Sequence, residues 1–374
     1  MNDDKIFQKN RRKDGKMKKK ILALFTAAAM MAAGVPAGVM AEGDGSKEVK
    51  INYSCSSNKG FQVVDEQLSV KNDLAETILK KTYPEVTAEE ADGVTVLDVL
   101  VAAHVKKYGD AFMTNPSNYM KVSQSSYGGS YVSEIFKDST GNQAYVNNAG
   151  IMNVSQDTVN NGDVVKSAVS DPSDSAWTSK FTYFEKETYN TVAGKKVKMA
   201  LKAIGYDDNY NPVVENAPAY TLKRINKNAL TMKDLNGSVN SDSTAVISFN
   251  NPGINYVTAI ETKANTMFAP IAKVTVGLDK AKITKAKAKG KKAVLKWKKV
   301  TGAKKYEVYK GTKKKGKFKK IATVKKTTYT DKKIKKSNKN KNYFYKVRAI
   351  AKADGKTVKG KFSKTARIKI KKAR

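Results

Sequence analysis

The chain has 374 residues, with 71 Lys and Arg against 34 Asp and Glu, a formal net charge of +37, one His and one Cys. A single cysteine excludes an intrachain disulfide, and one His with one Cys leaves no Cys/His zinc site and no Ser-His or Cys-His pair supported by local context. The charge is segregated: residues 280–374 hold 39 basic against 3 acidic side chains, residues 1–41 hold 9 against 3, and residues 42–279 hold 23 against 28. A mildly acidic body carrying an intensely basic C-terminal region speaks about partners rather than about fold.

The chain opens on a basic stretch, Lys16-Met17-Lys18-Lys19-Lys20, followed by ILALFTAAAMMAAGVPAGVM and by Val39-Met40-Ala41 with small residues at the −3 and −1 positions. This is the pattern of a secretory signal peptide over residues 1–41, and secretion to the extracellular space or the cell wall is the expectation it sets. Cleavage there would leave about 330 residues, enough for two or three modules. Glu42, not cysteine, follows the cleavage site, so Cys55 is no lipoprotein anchor. No later segment has the roughly 18 to 20 uninterrupted apolar residues of a bilayer span.

In the first unit, 48–184, Glu48 to Tyr53 alternates like an edge-facing strand, and Phe61 to Val70 reads as its hairpin partner. The run VTVLDVLVAAHVKKYG spaces Val96, Leu97, Leu100, Val101 and His104 as an amphipathic helix, with Thr95 as N-cap and Gly109 as stop. Short strands follow at Tyr131 to Phe136, Ala144 to Asn147 and Asp163 to Val169. Hairpin, helix, then strands describes an α+β sheet with one packed helix.

Four short motifs of this unit resemble the transcobalamin-like C-terminal family: Thr95 to Leu100, Gly128 to Ile135, Tyr145-Val146-Asn147-Asn148, and Asn161 to Val165. That resemblance implies a ubiquitin-like β-grasp module of the kind found in secreted proteins of Gram-positive bacteria. It also implies corrinoid (cobalamin) binding near Tyr145, Asn147 and Asn148. The residues themselves call for no cofactor: Gly141 to Ala144 stand where the family commonly has a tryptophan, and Asn148 where it has a glycine.

The second unit, 185–277, alternates polar and apolar residues at Lys195 to Ala203, Ala245 to Phe249 and Ala272 to Val276, between Asn, Asp, Gly or Pro turns. It reads as a β-sandwich. Asp234 to Gly237, Ile247 to Phe249, Pro252-Gly253 and Tyr256 to Ala259 resemble a bacterial immunoglobulin-like domain. In the third unit, 280–372, Leu295 and Trp297 share one strand face, and Tyr306 to Val308 and Tyr343 to Ala349 repeat the alternation. These spacings resemble a fibronectin type III domain, in which Trp297 would be the core tryptophan and Tyr345 the tyrosine capping the sandwich corner. The whole is thus expected to be multidomain and mainly β: a β-grasp module plus two β-sandwiches.

Catalysis finds no support in the sequence. His104 lies on the apolar side of its helix, Glu89-Glu90 and Asp207-Asp208 sit in polar loops, and no phosphate loop, nucleophile elbow or dinucleotide fingerprint occurs. The oxygen-rich stretch Asp207 to Asn211 lacks the spacing and terminal glutamate of a calcium loop and reads as an Asn/Asp turn. The strongest chemical signal is lysine: Lys313, Lys314, Lys315, Lys319, Lys320, Lys332, Lys333, Lys335 and Lys336 fall in turns and on strand faces turned from the core. Only 3 of the 39 basic residues after residue 279 are arginine, and lysine, a point charge without a bidentate fork, suits strings of phosphates better than base edges.

The expectation is therefore a non-catalytic secreted or wall-associated binding or adhesion protein. Its basic domain would be held on teichoic acid or another extracellular polyanion, without sequence-specific nucleic-acid recognition. Two alternatives stand beside it: a corrinoid-binding protein of a surface uptake system, and an accessory protein of extracellular carbohydrate processing. The second is weakened because no stretch of about 200 residues is left over for a catalytic domain.

Overall fold

A computed structural model describes residues 48–57, 60–87, 91–124, 129–137, 142–169, 180–209, 211–263, 266–290, 292–334 and 341–370. The signal-peptide reading over 1–41, the Glu89-Glu90 pair, Lys335 and Lys336 lie outside the described residues. Among the described residues, no helix is long and apolar enough to cross a membrane.

The first unit is built on strands β1 (Glu48–Ser57), β2 (Phe61–Lys71), β3 (Lys121–Gln124), β4 (Ser130–Glu134), β5 (Asn142–Val146), β6 (Ala149–Gly150) and β7 (Val164–Val169). The main sheet has the order β2-β1-β7-β5-β6, and β3 and β4 form a separate hairpin. β1 runs antiparallel to β2 and parallel to β7, with Asn52 opposite Val164 and Ser57 opposite Val169. Helix Val96–Tyr108 packs against this sheet, giving a mixed sheet covered by a single long helix. β1 is thus central, not edge-facing: its outer side, open in a lone hairpin, is filled by β7, whose pairing partner lies more than a hundred residues away.

Local chemistry fixes the helix ends. Asp98 N–H donates to Thr95 Oγ1 at 3.1 Å, while Thr95 N–H donates to Asp98 Oδ2 at 2.9 Å, closing a capping box. Gly109 ends the helix at φ 57, in the region that favours glycine. The helix is less amphipathic than its spacing suggests, because Val96 to His104 are all buried. The short segments Leu74–Leu79, Pro84–Thr87 and Asp110–Thr114 cover faces of the helix that would otherwise meet water.

The second unit contains β8 (Thr182–Phe184), β9 (Thr188–Val192), β10 (Lys196–Tyr206), β11 (Pro212–Asn216), β12 (Tyr220–Asn226), β13 (Thr231–Asp234), β14 (Gly237–Val239), β15 (Thr244–Ser248), β16 (Gly253–Glu261) and β17 (Ala272–Gly277). One sheet has the order β11-β10-β15-β14 with β8 added on β10, and the facing sheet is β13-β12-β16-β17-β9. Met199, Leu201 and Ile247 from the first meet Leu222, Val257 and Val274 from the second, the dry middle of an immunoglobulin-like sandwich. Because β8 pairs with β10, the chain has joined this sandwich before residue 185.

Asp65 ties the first two units together. Val64 and Asp65 both stand opposite Ser54, a bulge that turns Asp65 to φ 44 and aims it outward. Its Oδ2 accepts from Tyr256 Oη at 2.9 Å and Lys273 Nζ at 2.8 Å, and its carbonyl accepts from Lys227 Nζ at 2.6 Å. Beside it Phe61 and Val64 pack on Ile225, Ala269 and Ile271.

The third unit contains β18 (Ile283–Lys289), β19 (Lys292–Trp297), β20 (Lys305–Gly311), β21 (Lys319–Val324), β22 (Thr328–Asp331), β23 (Lys341–Ala353), β24 (Lys356–Lys359) and β25 (Ala366–Ile370). The sheet β18-β19-β22 faces the sheet β21-β20-β23-β24, with β25 on the same β23, the strand arrangement of a fibronectin type III sandwich. Between them lie Leu295, Trp297, Tyr306, Val308, Tyr345 and Val347, with Trp297 meeting the Tyr306 ring edge-on at 5.4 Å. Tyr345 is fully buried within β23 and does not cap a corner. Its hydroxyl crosses to Asp331 Oδ2 at the end of β22, 2.9 Å away, tying one sheet to the other. Gly302, at φ 76, sits where a Cβ would lie 2.8 Å from Pro252 Cδ, so only glycine allows the second and third units to meet so closely there.

Candidate functional site

The third unit's three acidic residues all have internal tasks. Glu307, nearly buried on β20, accepts from Arg348 Nε at 2.7 Å and Tyr309 Oη at 3.1 Å, with Lys320 Nζ 3.4 Å away. Burial pushes its carboxyl up, but these partners outweigh burial and hold it below the ordinary range. Asp331, 2 % exposed, accepts from Tyr345 and from the Lys333 backbone N–H at 2.9 Å, and pairs with Lys310 at 2.8 Å. Asp354 accepts from the Ile254 N–H at 3.0 Å, across the junction with the second unit. The carboxylates hold the fold, and among the described residues most of the exposed lysines of this unit have no carboxylate partner.

Those lysines fall into two settings. Lys313, Lys314 and Lys315 are exposed in the connection between β20 and β21, Lys319 and Lys320 open β21, and Lys332 and Lys333 follow β22. Of these, Lys320 reaches Glu307, and the Lys333 carbonyl accepts from Lys310 Nζ at 3.0 Å. A second set was not singled out by the sequence: Lys285, Lys287 and Lys289 on β18 and Lys292 and Lys296 on β19 all lie exposed on the outer face of one sheet. The alternation in AKITKAKAK and KAVLKW was legible, but which lysines stand opposite one another is set by register.

The outer face of the other sheet mixes cations with rings. The Arg348 guanidinium lies 4.7 Å from the Phe362 ring centroid and 5.2 Å from that of Tyr309, and Lys346 Nζ lies 4.3 Å from Phe318. Burial is the main cause that pushes the Tyr309 hydroxyl up, with the Glu307 hydrogen bond adding to it, so it stays protonated and donating.

In the first unit, the family-implied ligand residues are occupied by the protein itself. Tyr145 is buried under Phe181, ring centroids 3.6 Å apart, and its hydroxyl donates to Gln143 Oε1 at 2.6 Å. Asn147 and Asn148, at φ 50 and 70, make the two-residue turn between β5 and β6. Asn147 Nδ2 donates to Asp163 at 2.7 Å, and Asn148 Oδ1 accepts from Lys166 Nζ at 2.7 Å beside Glu187 of the second unit. These side chains serve the turn and the junction.

His104 is fully buried. Its Nε2 accepts the Phe136 N–H at 2.9 Å, so Nδ1 carries the proton and donates to the Leu100 carbonyl at 2.7 Å. Burial pushes its pKa down to about 4, a setting for packing rather than proton transfer. Asp207 accepts from the backbone N–H groups of Asn209 and Asn211, at 2.9 and 2.8 Å, and so closes the turn between β10 and β11. At the junction of the first two units a pocket of about 280 Å³ is bordered by Val63, Leu68, Leu230, Lys107 and Glu66, and Glu66 pairs there with Lys227 at 3.3 Å.

No family model matches the chain, and no curated protein matches it. Among solved structures, a fibronectin type III-like protein from Clostridium thermocellum is similar at 26% identity over 26% of this chain and 94% of its own, with a TM-score of 0.20. A titin multidomain fragment is similar at 13% identity over 68% of this chain and 83% of its own, TM-score 0.21. The N-terminal four Ig domains of a Dscam1 isoform are similar at 13% identity over 55% of this chain and 49% of theirs, TM-score 0.25. At these scores the fold rests on the strand pairing of the chain itself.

Proposed function

We propose that the protein is an exported, non-catalytic binding protein in which a transcobalamin-like β-grasp module and an immunoglobulin-like spacer are held at the cell envelope by the basic fibronectin-like unit. The partner is an anionic wall polymer of the teichoic-acid class. The observation that carries this reading is the charge balance of residues 280–374, 39 basic against 3 acidic, with each acidic side chain already engaged within the protein. Such a charge strains an isolated domain by self-repulsion, and a phosphate polymer relieves it while releasing its counterions.

The test is elution from purified cell walls by a salt gradient. Retention should fall steeply and linearly in log–log form, and walls stripped of phosphate polymer should retain little. Retention that persists unchanged through high salt sinks the reading.

A further inference from the structure

The lysines of β18 and β19 are arranged in a way that solubility does not explain. In the antiparallel register Lys285 stands opposite Lys296, Lys289 opposite Lys292, and Lys287 opposite Val294. β22 adds Thr328 beside Lys296 and Thr330 beside Val294. The intervening Ala286, Ala293 and Leu295 turn toward the core, so this outer face carries five lysines, one valine and two threonines. None of the five lysines pairs with a carboxylate among the described residues.

Like charges directly opposite one another destabilise an antiparallel pair, and a glutamate at either position would serve solubility equally well. Lysines on an edge strand can protect that edge from pairing with other chains, which accounts for β18. It does not account for Lys292 and Lys296, because β19 is flanked by β18 on one side and β22 on the other.

The spacing points to a ligand. Alternate residues recur about every 6.6 Å along a strand, and opposite Cβ atoms are about 5 Å apart, so the ammonium groups form two parallel rows. Among the described residues no aromatic side chain lies on this face, hence they offer no platform on which a base could stack. The rings belong to the opposite sheet, where Arg348 and Lys346 lie over them. Lysine, without a fork, reads charge and position only.

We propose that the outer face of β18-β19-β22 is the binding plane for a linear, ring-free phosphodiester chain lying along the strands, with Lys285, Lys287, Lys289, Lys292 and Lys296 as its contacts. This rests on the polyanion reading above and assigns it a place and a polymer. The face trades stability for binding, so neutralising it has two opposite consequences.

The probe is synthetic poly(glycerol phosphate) of defined length, titrated into the protein at several salt concentrations. The triple variant Lys285→Thr, Lys289→Thr, Lys296→Thr should reduce the log–log salt slope by about 2, at roughly 0.7–0.9 per phosphate contact. Its C-terminal unit should melt roughly 2–8 °C higher, because both like-charged pairs are gone. Lys313→Thr, Lys314→Thr, Lys315→Thr removes the same charge from an exposed turn and should change the slope by less than about 1, with no gain in melting temperature. Val294→Lys should add about 0.8 to the slope and lower the melting temperature.

Equal loss of binding in the two triple variants overturns the assignment of this face while leaving polyanion binding intact. Single-stranded DNA of equal charge competing through this face as well as the glycerol polymer overturns the ring-free assignment. An unsubstituted protein that does not bind the polymer at all overturns the broader reading with it.

Discussion

Lowering the pH from 7.5 to 4 should destabilise the first unit by about 3 kcal/mol through its buried histidine. His104 is neutral in the fold, between the Leu100 carbonyl and the Phe136 amide, with its ring stacked on Phe136 at 4.1 Å and Phe112 at 5.0 Å. A second proton would put a cation in an apolar site and face an N–H toward an N–H. Burial pushes the folded pKa down to about 4, from an ordinary value of 6.5. The unfolded chain therefore takes up the proton first. The stabilisation is complete above pH 6.5, declines by about 1.4 kcal/mol per pH unit below it, and is exhausted near pH 4, a total of about 3 kcal/mol. At pH 5 the loss is about 2 kcal/mol. The chain has one histidine, so its imidazole resonance is unambiguous in NMR. The native ring should stay neutral down to about pH 4, and the change in urea midpoint between pH 7.5 and 5 should shrink in His104→Gln. A native ring that titrates near 6.5, or identical pH dependence in protein and variant, would refute the reasoning.

Glu307→Gln should destabilise the third unit by about 2 kcal/mol, because Arg348 and Lys320 lose their shared carboxylate within a strongly positive domain; its melting temperature should fall by roughly 10 °C. The same contribution is present above the ordinary carboxyl pKa of 4.5 and is lost as pH falls through the lowered folded value, so the variant's melting curve should be the flatter one in acid. Tyr345→Phe removes the hydroxyl that reaches Asp331 between the sheets and should cost about 1 kcal/mol, read as a lower denaturant midpoint with an unchanged slope. Asp65→Ala unfastens Tyr256, Lys273 and Asn52 together. Hydrogen exchange should then rise around both Asp65 and Tyr256, whereas a rise at Asp65 alone would show that the two units do not depend on this contact.

What the sequence disclosed follows the range of the interactions involved. The helix Val96–Tyr108 was legible because its signals are local: Thr95 and Asp98 three residues apart, then Gly109 at the end. The sandwich strands were legible because inward residues such as Leu295 and Trp297 alternate with lysines. The central place of β1 was not, because it depends on Val164–Val169, and no local pattern reports a parallel partner so far along the chain. The bulge at Asp65 exists only relative to β1, so the residue reads as one polar position among many until the pairing is known. The basic character of the third unit is plain in the sequence, where contiguous runs such as Lys313 to Lys315 are the most visible local pattern. Single lysines alternating with alanine look like an ordinary outer face until register sets Lys285 against Lys296 and Lys289 against Lys292.

Fractionation of cells producing the full chain tests the central claim most directly. The account predicts that the protein sediments with intact cells at low ionic strength and moves into the supernatant during a brief high-salt wash, without detergent or wall digestion. Protein found free in the medium at low salt, or still on the cells after the wash, would contradict it.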